Sequence, residues 1–302
     1  MTLVGLYMAA KLCVVPRNTS DTPRSRLLGA KIRHQREARH FGLREFAGMI
    51  GVHPSTYSKW ENGKLLPDLE TVGVILGALG VVGDDRDDIL QDARDASNPD
   101  WIADGVDRQV SALVEYERTA IRMVACAPLF TAGMLQNEGT AHAIVAAGGT
   151  TSDSQAKAIV SARMARKEAL WRTNPIRLDV FLGMRAIERP LGGLPVAIEQ
   201  LKYTLKMAQL TNVTVRAIPE TDEFNPADMG GFVLYEFAVG DPIVYFEHFR
   251  SSMFAPKRDV PDMVKAVERL EKIAMSPDAT SRLIADVITR MERRHHDSTL
   301  GA

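Results

Sequence analysis

A mixed fold is what this sequence predicts: a small all-α domain followed by an α/β or α+β domain with about four strands. Three observations predict it. Apolar residues recur at helical spacing on both sides of a turn glycine between Leu27 and Leu79. An Asp-rich stretch, Gly83 to Asp100, then interrupts the pattern. Beyond it, amphipathic stretches alternate with short β-branched and aromatic runs. A length of 302 residues suits two or three domains, and 45% hydrophobic residues with a mean hydropathy of −0.10 describe a soluble globular chain.

Residues 1–23 are expected to form a flexible extension. The apolar stretch from Met1 to Pro16 has no basic n-region, is interrupted by Lys11 and precedes nothing like a cleavage site, so a signal peptide is not expected. Leu28, Ile32 and Arg36, spaced by four, mark a first helix. Leu43, Phe46, Ala47 and Ile50 fall at i, i+3, i+4 and i+7 and mark a second, ending at Gly51, the turn glycine of a helix-turn-helix. Pro54 suits the first position of the next helix and Gly63 the left-handed residue that ends one, so the third runs from about Pro54 to Asn62. At about 100° per residue, Tyr57, Trp60 and Glu61 share one side of it and Ser55, Ser58, Lys59 and Asn62 the other. The second set offers the donors and small hydroxyls that a major-groove reader needs.

Leu69, Val72, Leu76 and Leu79 form a fourth stripe, started by Pro67-Asp68, and Ile89, Leu90 and Ala93 allow a closing helix broken at Ser97-Asn98-Pro99-Asp100. The first domain is therefore expected over 24–96, with a linker over 97–104. A buried carboxylate is costly unless paired, and Glu61 lies toward the apolar face, so Arg36, which continues the inward stripe of the first helix, is its natural partner. From Arg24 to Lys64, nine Lys/Arg (24, 26, 31, 33, 36, 39, 44, 59, 64) stand against three acids (37, 45, 61), a net +6. Such a local excess is the footprint of phosphate binding, in a chain whose total is −1. From Gly83 to Asp100 seven Asp face two Arg; a solvated helix face is the preferred reading over a decoy for basic surfaces.

In the second domain, expected over 105–294 with a flexible tail over 295–302, Val106, Val110, Leu113, Val114, Ile121 and Val124 suggest a helix of several turns. A second helix is expected from about Ser154 to Trp171. Strands are expected at Ile176 to Leu182, Val213 to Ile218, Gly231 to Phe237 and Ile243 to Phe249, with a helix from Pro195 to Gln209 between the first two. Val260, Met263, Val264 and Val267, then Leu283, Ile284, Val287, Ile288 and Met291, give two closing helices their stripes.

No run approaches the eighteen or more apolar residues of a membrane span. Cys13 and Cys126 have no CxxC spacing, so neither a disulfide framework nor a zinc site is expected, and a reducing cytoplasm fits. His142, Glu247-His248 and His295-His296 are the candidates for catalysis, but HExxH, GxSxG and P-loop spacings are absent, and Gly148-Gly149 and Gly230-Gly231 read as turns. No enzymatic activity, metal or cofactor is expected. Arg163 and Arg166, at i and i+3, are candidates for binding an anion or an acidic partner, the alternative being exposed helix arginines.

Ile32-Arg33-His34-Gln35-Arg36-Glu37, Phe46-Ala47, Gly51-Val52 and Tyr57-Ser58-Lys59-Trp60-Glu61-Asn62-Gly63-Lys64 carry a resemblance, from about Leu27 to Leu79, to the phage-repressor (XRE, Cro/cI-like) helix-turn-helix family. The resemblance implies an Arg36–Glu61 pair beneath the recognition helix and base contacts from Pro54, Ser55 and Lys59. It further implies phosphate contacts near His53, Asn62 and Lys64; Thr56, Ser58 and Arg44 complete the expected DNA-facing set. Gly42 and His53 depart from the family, standing where Ser or Thr commonly caps the second and third helices, so weaker caps are expected.

Pro128-Leu129-Phe130-Thr131-Ala132-Gly133-Met134-Leu135-Gln136, Ala141, Ala162-Arg163-Met164-Ala165-Arg166, Arg189-Pro190-Leu191-Gly192-Gly193, Glu199-Gln200-Leu201 and Asn212-Val213-Thr214-Val215 resemble the C-terminal domain of WhiJ-like actinobacterial regulators. Met184, near where a Glu is common, and Ile187, where a Leu is usual, depart from that pattern. The resemblance implies a transcription regulator often paired with a small acidic protein in an antitoxin-like arrangement. The expected function is thus a sequence-specific DNA-binding regulator whose second domain senses a ligand or binds a partner protein, and which forms a homodimer through residues after Trp101. The alternative is an antitoxin-like protein that sequesters a small acidic partner and autoregulates its operon. An enzyme fused to a DNA-binding domain ranks last.

Overall fold

Proline at the first helical position begins two of the helices of the N-terminal half, where its missing N–H leaves no bond unmade. A computed structural model describes residues 22–96, 102–104, 113–114, 116–148, 152–238, 240–247 and 251–300. The extension expected over 1–23 lies outside the described residues as far as position 21. The chain divides into two compact units, 1–100 and 101–302.

Among the described residues the first unit holds five helices: α1 (Pro23–Ala38), α2 (Leu43–Met49), α3 (Pro54–Glu61), α4 (Leu69–Ala78) and α5 (Asp84–Asp95). Thr22 and Ser25 cap α1 reciprocally, and the Asp68 carboxylate caps α4 by accepting from the Thr71 N–H at 2.8 Å; hydrogen bonding to the Thr71 side chain, and then to its N–H, holds the Asp68 pKa below the ordinary value. Leu28, Ile32, Phe46, Tyr57, Ile75 and Leu76 are fully buried and form the core, with the Phe46 and Tyr57 rings 5.4 Å apart. Gly29 permits α1 to cross α3 closely: a Cβ there would stand 2.3 Å from the Trp60 carbonyl oxygen. With 97–100 outside the described residues, the Asp-rich stretch is helical over Asp84–Asp95. Asp84, Asp85 and Asp87 lie in its first turn, where the macrodipole favours them, and Asp88 and Asp92 hold the Lys31 ammonium at 2.6 and 2.5 Å.

Among the described residues the second unit is built on one seven-stranded mixed sheet, not on about four strands. The strands are β1 (Ile102–Asp104), β2 (Ala120–Ala127), β3 (Arg177–Gly183), β4 (Val213–Ile218), β5 (Phe232–Phe237), β6 (Ile243–Glu247) and β7 (Ser251–Phe254), in the order β1-β7-β6-β5-β2-β3-β4. β2, β3 and β4 are parallel, and the other pairings are antiparallel. Between β2 and β3 stand α6 (Glu138–Ala147) and α7 (Asp153–Arg166); α8 (Met184–Glu188) and α9 (Leu194–Met207) join β3 to β4. α10 (Val260–Ile273) and α11 (Pro277–Leu300) close the chain.

Three expectations are corrected. The long helix expected through Val106 to Val124 is helical only at 113–114 and 116–119 among the described residues, and Ile121 and Val124 lie in strand β2; Val106 and Val110 lie outside them. β2 is buried without a break from Met123 to Ala127, and a strand covered on both faces shows no alternation to separate it from a buried helix. Residues 102–104 of the expected linker pair with β7 instead. The tail expected from 295 is helical as far as Leu300, because α11 continues past its last buried residue, Met291. The strand expected at Ile243 to Phe249 is present over Ile243–Glu247, and 248 and 249 lie outside the described residues.

The topology has one consequence for the carboxyl ends of the parallel strands. β5 starts beside the end of β2, with Phe232 opposite Cys126, so the connection from Ile218 at the end of β4 to Phe232 stays on that edge and passes the ends of β3 and β2.

Candidate nucleic-acid interface

α3 is anchored from below by its acid. The Arg36 Nε donates to Glu61 Oε1 at 2.6 Å and its Nη2 to Glu61 Oε2 at 2.9 Å, and both side chains are buried. Arg36 Nη1 donates to the Phe41 carbonyl at 2.7 Å, which ties the turn before α2 to the same cation. These bonds to Glu61, set against burial, raise the pKa of the guanidinium. The pair expected from the inward stripe of the first helix is therefore present, with bidentate geometry.

Arg33 belongs to the same anchor, although sequence reasoning did not single it out. Its Nη2 donates to the Glu61 carbonyl at 3.2 Å and to Asn62 Oδ1 at 2.7 Å, and its Nε lies 3.6 Å from the Glu61 carboxylate. The signal was available: Arg33 and Arg36 stand at i and i+3 on α1, and so on neighbouring positions of one face.

The opposite face of α3 is open. Ser55 and Lys59 are exposed, and Thr56 and Ser58 are half-buried. His53 and Pro54 form the entry, Asn62 and Lys64 the exit, and Arg44 projects from α2; His53, Asn62, Lys64 and Arg44 are exposed. Among the described residues the side chains of Arg44, Lys59 and Lys64 have neither an ion pair nor a hydrogen bond, so three cations stand free around this face. Asn62 differs: its Nδ2 donates to the Ser58 carbonyl at 2.7 Å while its Oδ1 accepts from Arg33. Its amide closes the C-terminal end of α3, and reaching a phosphate would require breaking those bonds.

The weak caps expected at the two departures are only partly found. The His53 Nδ1 accepts from the Ser55 N–H at 3.2 Å and lies 2.8 Å from the Ser55 Oγ, so the imidazole does what a Ser hydroxyl does elsewhere. Gly42 supplies no side-chain cap, and its own N–H donates to Glu45 Oε2 at 3.1 Å. Gly51, at φ 71°, makes the turn between α2 and α3.

In the second unit, the assignment of Arg166 to an anion or acidic partner is corrected. Arg166 packs against the buried Glu117 with its side chain 10% exposed, donating from Nε to Oε2 at 2.9 Å and from Nη2 to Oε1, so its charge is paired inside the fold. Arg163 donates to Glu247 at 3.3 Å and to Gln136 Oε1 at 3.4 Å. His142 and His296 are exposed, His295 is half-buried, and His248 lies outside the described residues. Burial pushes the Cys126 thiol up to about 12, which leaves it protonated and unreactive.

Lys59 stands free on the open face beside the exposed Ser55, so Lys59→Ala is expected to weaken the best DNA site by about 1–3 kcal/mol and to relax base preference there. Fluorescence anisotropy on that site and on its single-base variants checks this; equal affinity and unchanged preference would reject the role.

Among the described residues no helix is long and apolar enough to cross a membrane. Residues 27–89 match a helix-turn-helix domain, which covers all of α3 and its anchor. No curated protein and no solved structure matches the chain. Residues 110–286, more than half of the sequence, match a domain of unknown function, DUF5753, and the chain belongs to that family.

Proposed function

We propose that this protein is a sequence-specific, cytoplasmic DNA-binding transcription regulator of the XRE (Cro/cI-like) type, with a WhiJ-like second unit that senses a ligand or binds a partner. The observation that carries the reading is the two-sided construction of α3: Glu61 is locked below it by Arg36 and Arg33, while Lys59 stands free above beside the exposed Ser55. A helix held rigidly by its buried side can present base-reading groups without a further ordering cost. Selection of bound fragments from random DNA tests it. The expected result is one enriched motif whose affinity falls linearly with the logarithm of salt concentration. Binding equal on all sequences would reject sequence-specific regulation.

A single recognition helix reads only a few base pairs, so the regulator is expected to act as a homodimer assembled through residues after Trp101, on half-sites about 10 base pairs or a multiple apart. Light scattering of the full chain at tens of micromolar is then expected to give twice the 33.3 kDa of one chain. A mass of one chain would reject the dimer. No observation favours the antitoxin-like alternative, since Arg163 and Arg166 both face carboxylates of this chain.

A further inference from the structure

The 219–231 connection arches along the carboxyl edge of the parallel strands, and a cleft of about 610 Å³ lies there. Its wall is formed by the ends of β2, β3 and β4 together with the arch, and its volume falls within the few hundred to a thousand Å³ of small-molecule sites. In open α/β sheets ligands bind outside the carboxyl ends of the strands.

The chemistry of the lining is unevenly distributed. Leu129, Met184 and Ile218 give it an apolar part, and Leu129 is 52% exposed although it sits at a strand end. Arg185, just after β3, is exposed and has no ion pair or hydrogen bond among the described residues. Glu220 and Asp222, just after β4, are exposed and equally unpartnered. One cation and three carboxylates, among them Asp228, which also accepts from the Asn225 N–H at 2.8 Å, thus face the same cavity without an ion pair between them, with apolar surface beside them.

We propose that this cleft binds a small amphipathic zwitterion of the apolar dipeptide class. Its carboxylate lies on the Arg185 guanidinium, its ammonium on Glu220 and Asp222, and its side chains on Leu129 and Met184. A guanidinium takes a carboxylate through two parallel N–H bonds, which suits Arg185 to the anionic end. The proposal deepens the sensing half of the proposed function by naming what would be sensed, and it concerns the second unit alone.

Calorimetric titration of the full-length protein, without DNA, tests it. The probes are a panel of apolar dipeptides such as L-leucyl-L-phenylalanine, with the N-acetylated and C-amidated form of each. At least one free dipeptide is expected to bind with a Kd below about 1 mM, and blocking either end to weaken it at least about tenfold. Arg185→Ala should weaken the free dipeptide and leave the amide unchanged; Glu220→Gln with Asp222→Asn should do the converse with the N-acetyl form. All three residues are exposed, and circular dichroism checks that the variants fold. No binding at 10 mM across the panel, or variants as tight as the parent, would overturn the proposal. The DNA selection above is scored separately: a protein that selects a motif and ignores dipeptides loses only this inference, and one that binds dipeptides without selecting DNA loses only the regulator reading.

Discussion

Replacing Glu61 by Ala is expected to destabilise the first unit by about 3–5 kcal/mol, because it leaves the buried Arg36 cation with only the Phe41 carbonyl at 2.7 Å and the exposed Glu37 carboxylate at 3.5 Å as partners. A small domain holds only about 5–15 kcal/mol in all, so the loss is a large share of its stability, and DNA binding should fall with folding. Glu61→Gln, which keeps an acceptor for one N–H of Arg36 and removes the charge, should fall between the parent and Ala. Trp60 reports the transition, since it sits beside the substituted residue with its ring 6.1 Å from that of Tyr57. Urea unfolding of the full chain, followed by fluorescence in a background of Trp101→Phe and Trp171→Phe, measures it. An Ala variant with the parent's midpoint would show that the pair contributes nothing to folding.

The second unit should respond as strongly to Glu117→Ala. Glu117 is buried and accepts from Arg166 and, at 3.4 Å, from the Tyr235 hydroxyl, so one deletion strands a cation and a phenol together. Burial works against the Arg166 charge, the Glu117 carboxylate outweighs it, and the guanidinium is held above its ordinary pKa. A loss of about 3–5 kcal/mol is expected for Glu117→Ala. The combined change Glu117→Leu with Arg166→Met should recover most of it, because apolar groups of similar volume need no compensation. Thermal unfolding of the second unit's sheet by circular dichroism reads both. A double variant as unstable as the single would mean that packing, rather than the stranded charge, sets the cost.

Most of the helix-turn-helix was legible because its signals are local. Pro54, the apolar spacing of Leu43, Phe46, Ala47 and Ile50, and the glycine at position 51 each act within a turn or two, and the helices found lie within a residue or two of those expected. The Arg36–Glu61 pair was legible for the same reason: each residue sits on the inward stripe of its own helix, and a buried carboxylate needs a cation. Arg33 was missed because its role depends on where the end of α3 falls against α1, a distance no spacing contains. Asn62 was assigned outward by its position on the helix wheel, and its side chain turned back to Ser58 and Arg33 instead.

The second unit shows the other limit. β3, β4, β5 and β6 carry β-branched and aromatic runs and were expected close to their observed bounds; β2, rich in alanine and buried from Met123 to Ala127, was not. Arg166 was placed on an outer face by its i, i+3 relation to Arg163, and only the arrival of Glu117 from another part of the chain pairs it inside the fold. Sequence alone therefore determined the helix-turn-helix, the two faces of α3 and the ion pair beneath it, since periodicity, caps and the cost of a buried charge operate over short stretches. Tertiary structure alone decided the strand order, the pairing of Arg166 and the cleft under the arch, because these depend on segments distant in sequence meeting at one edge of a sheet.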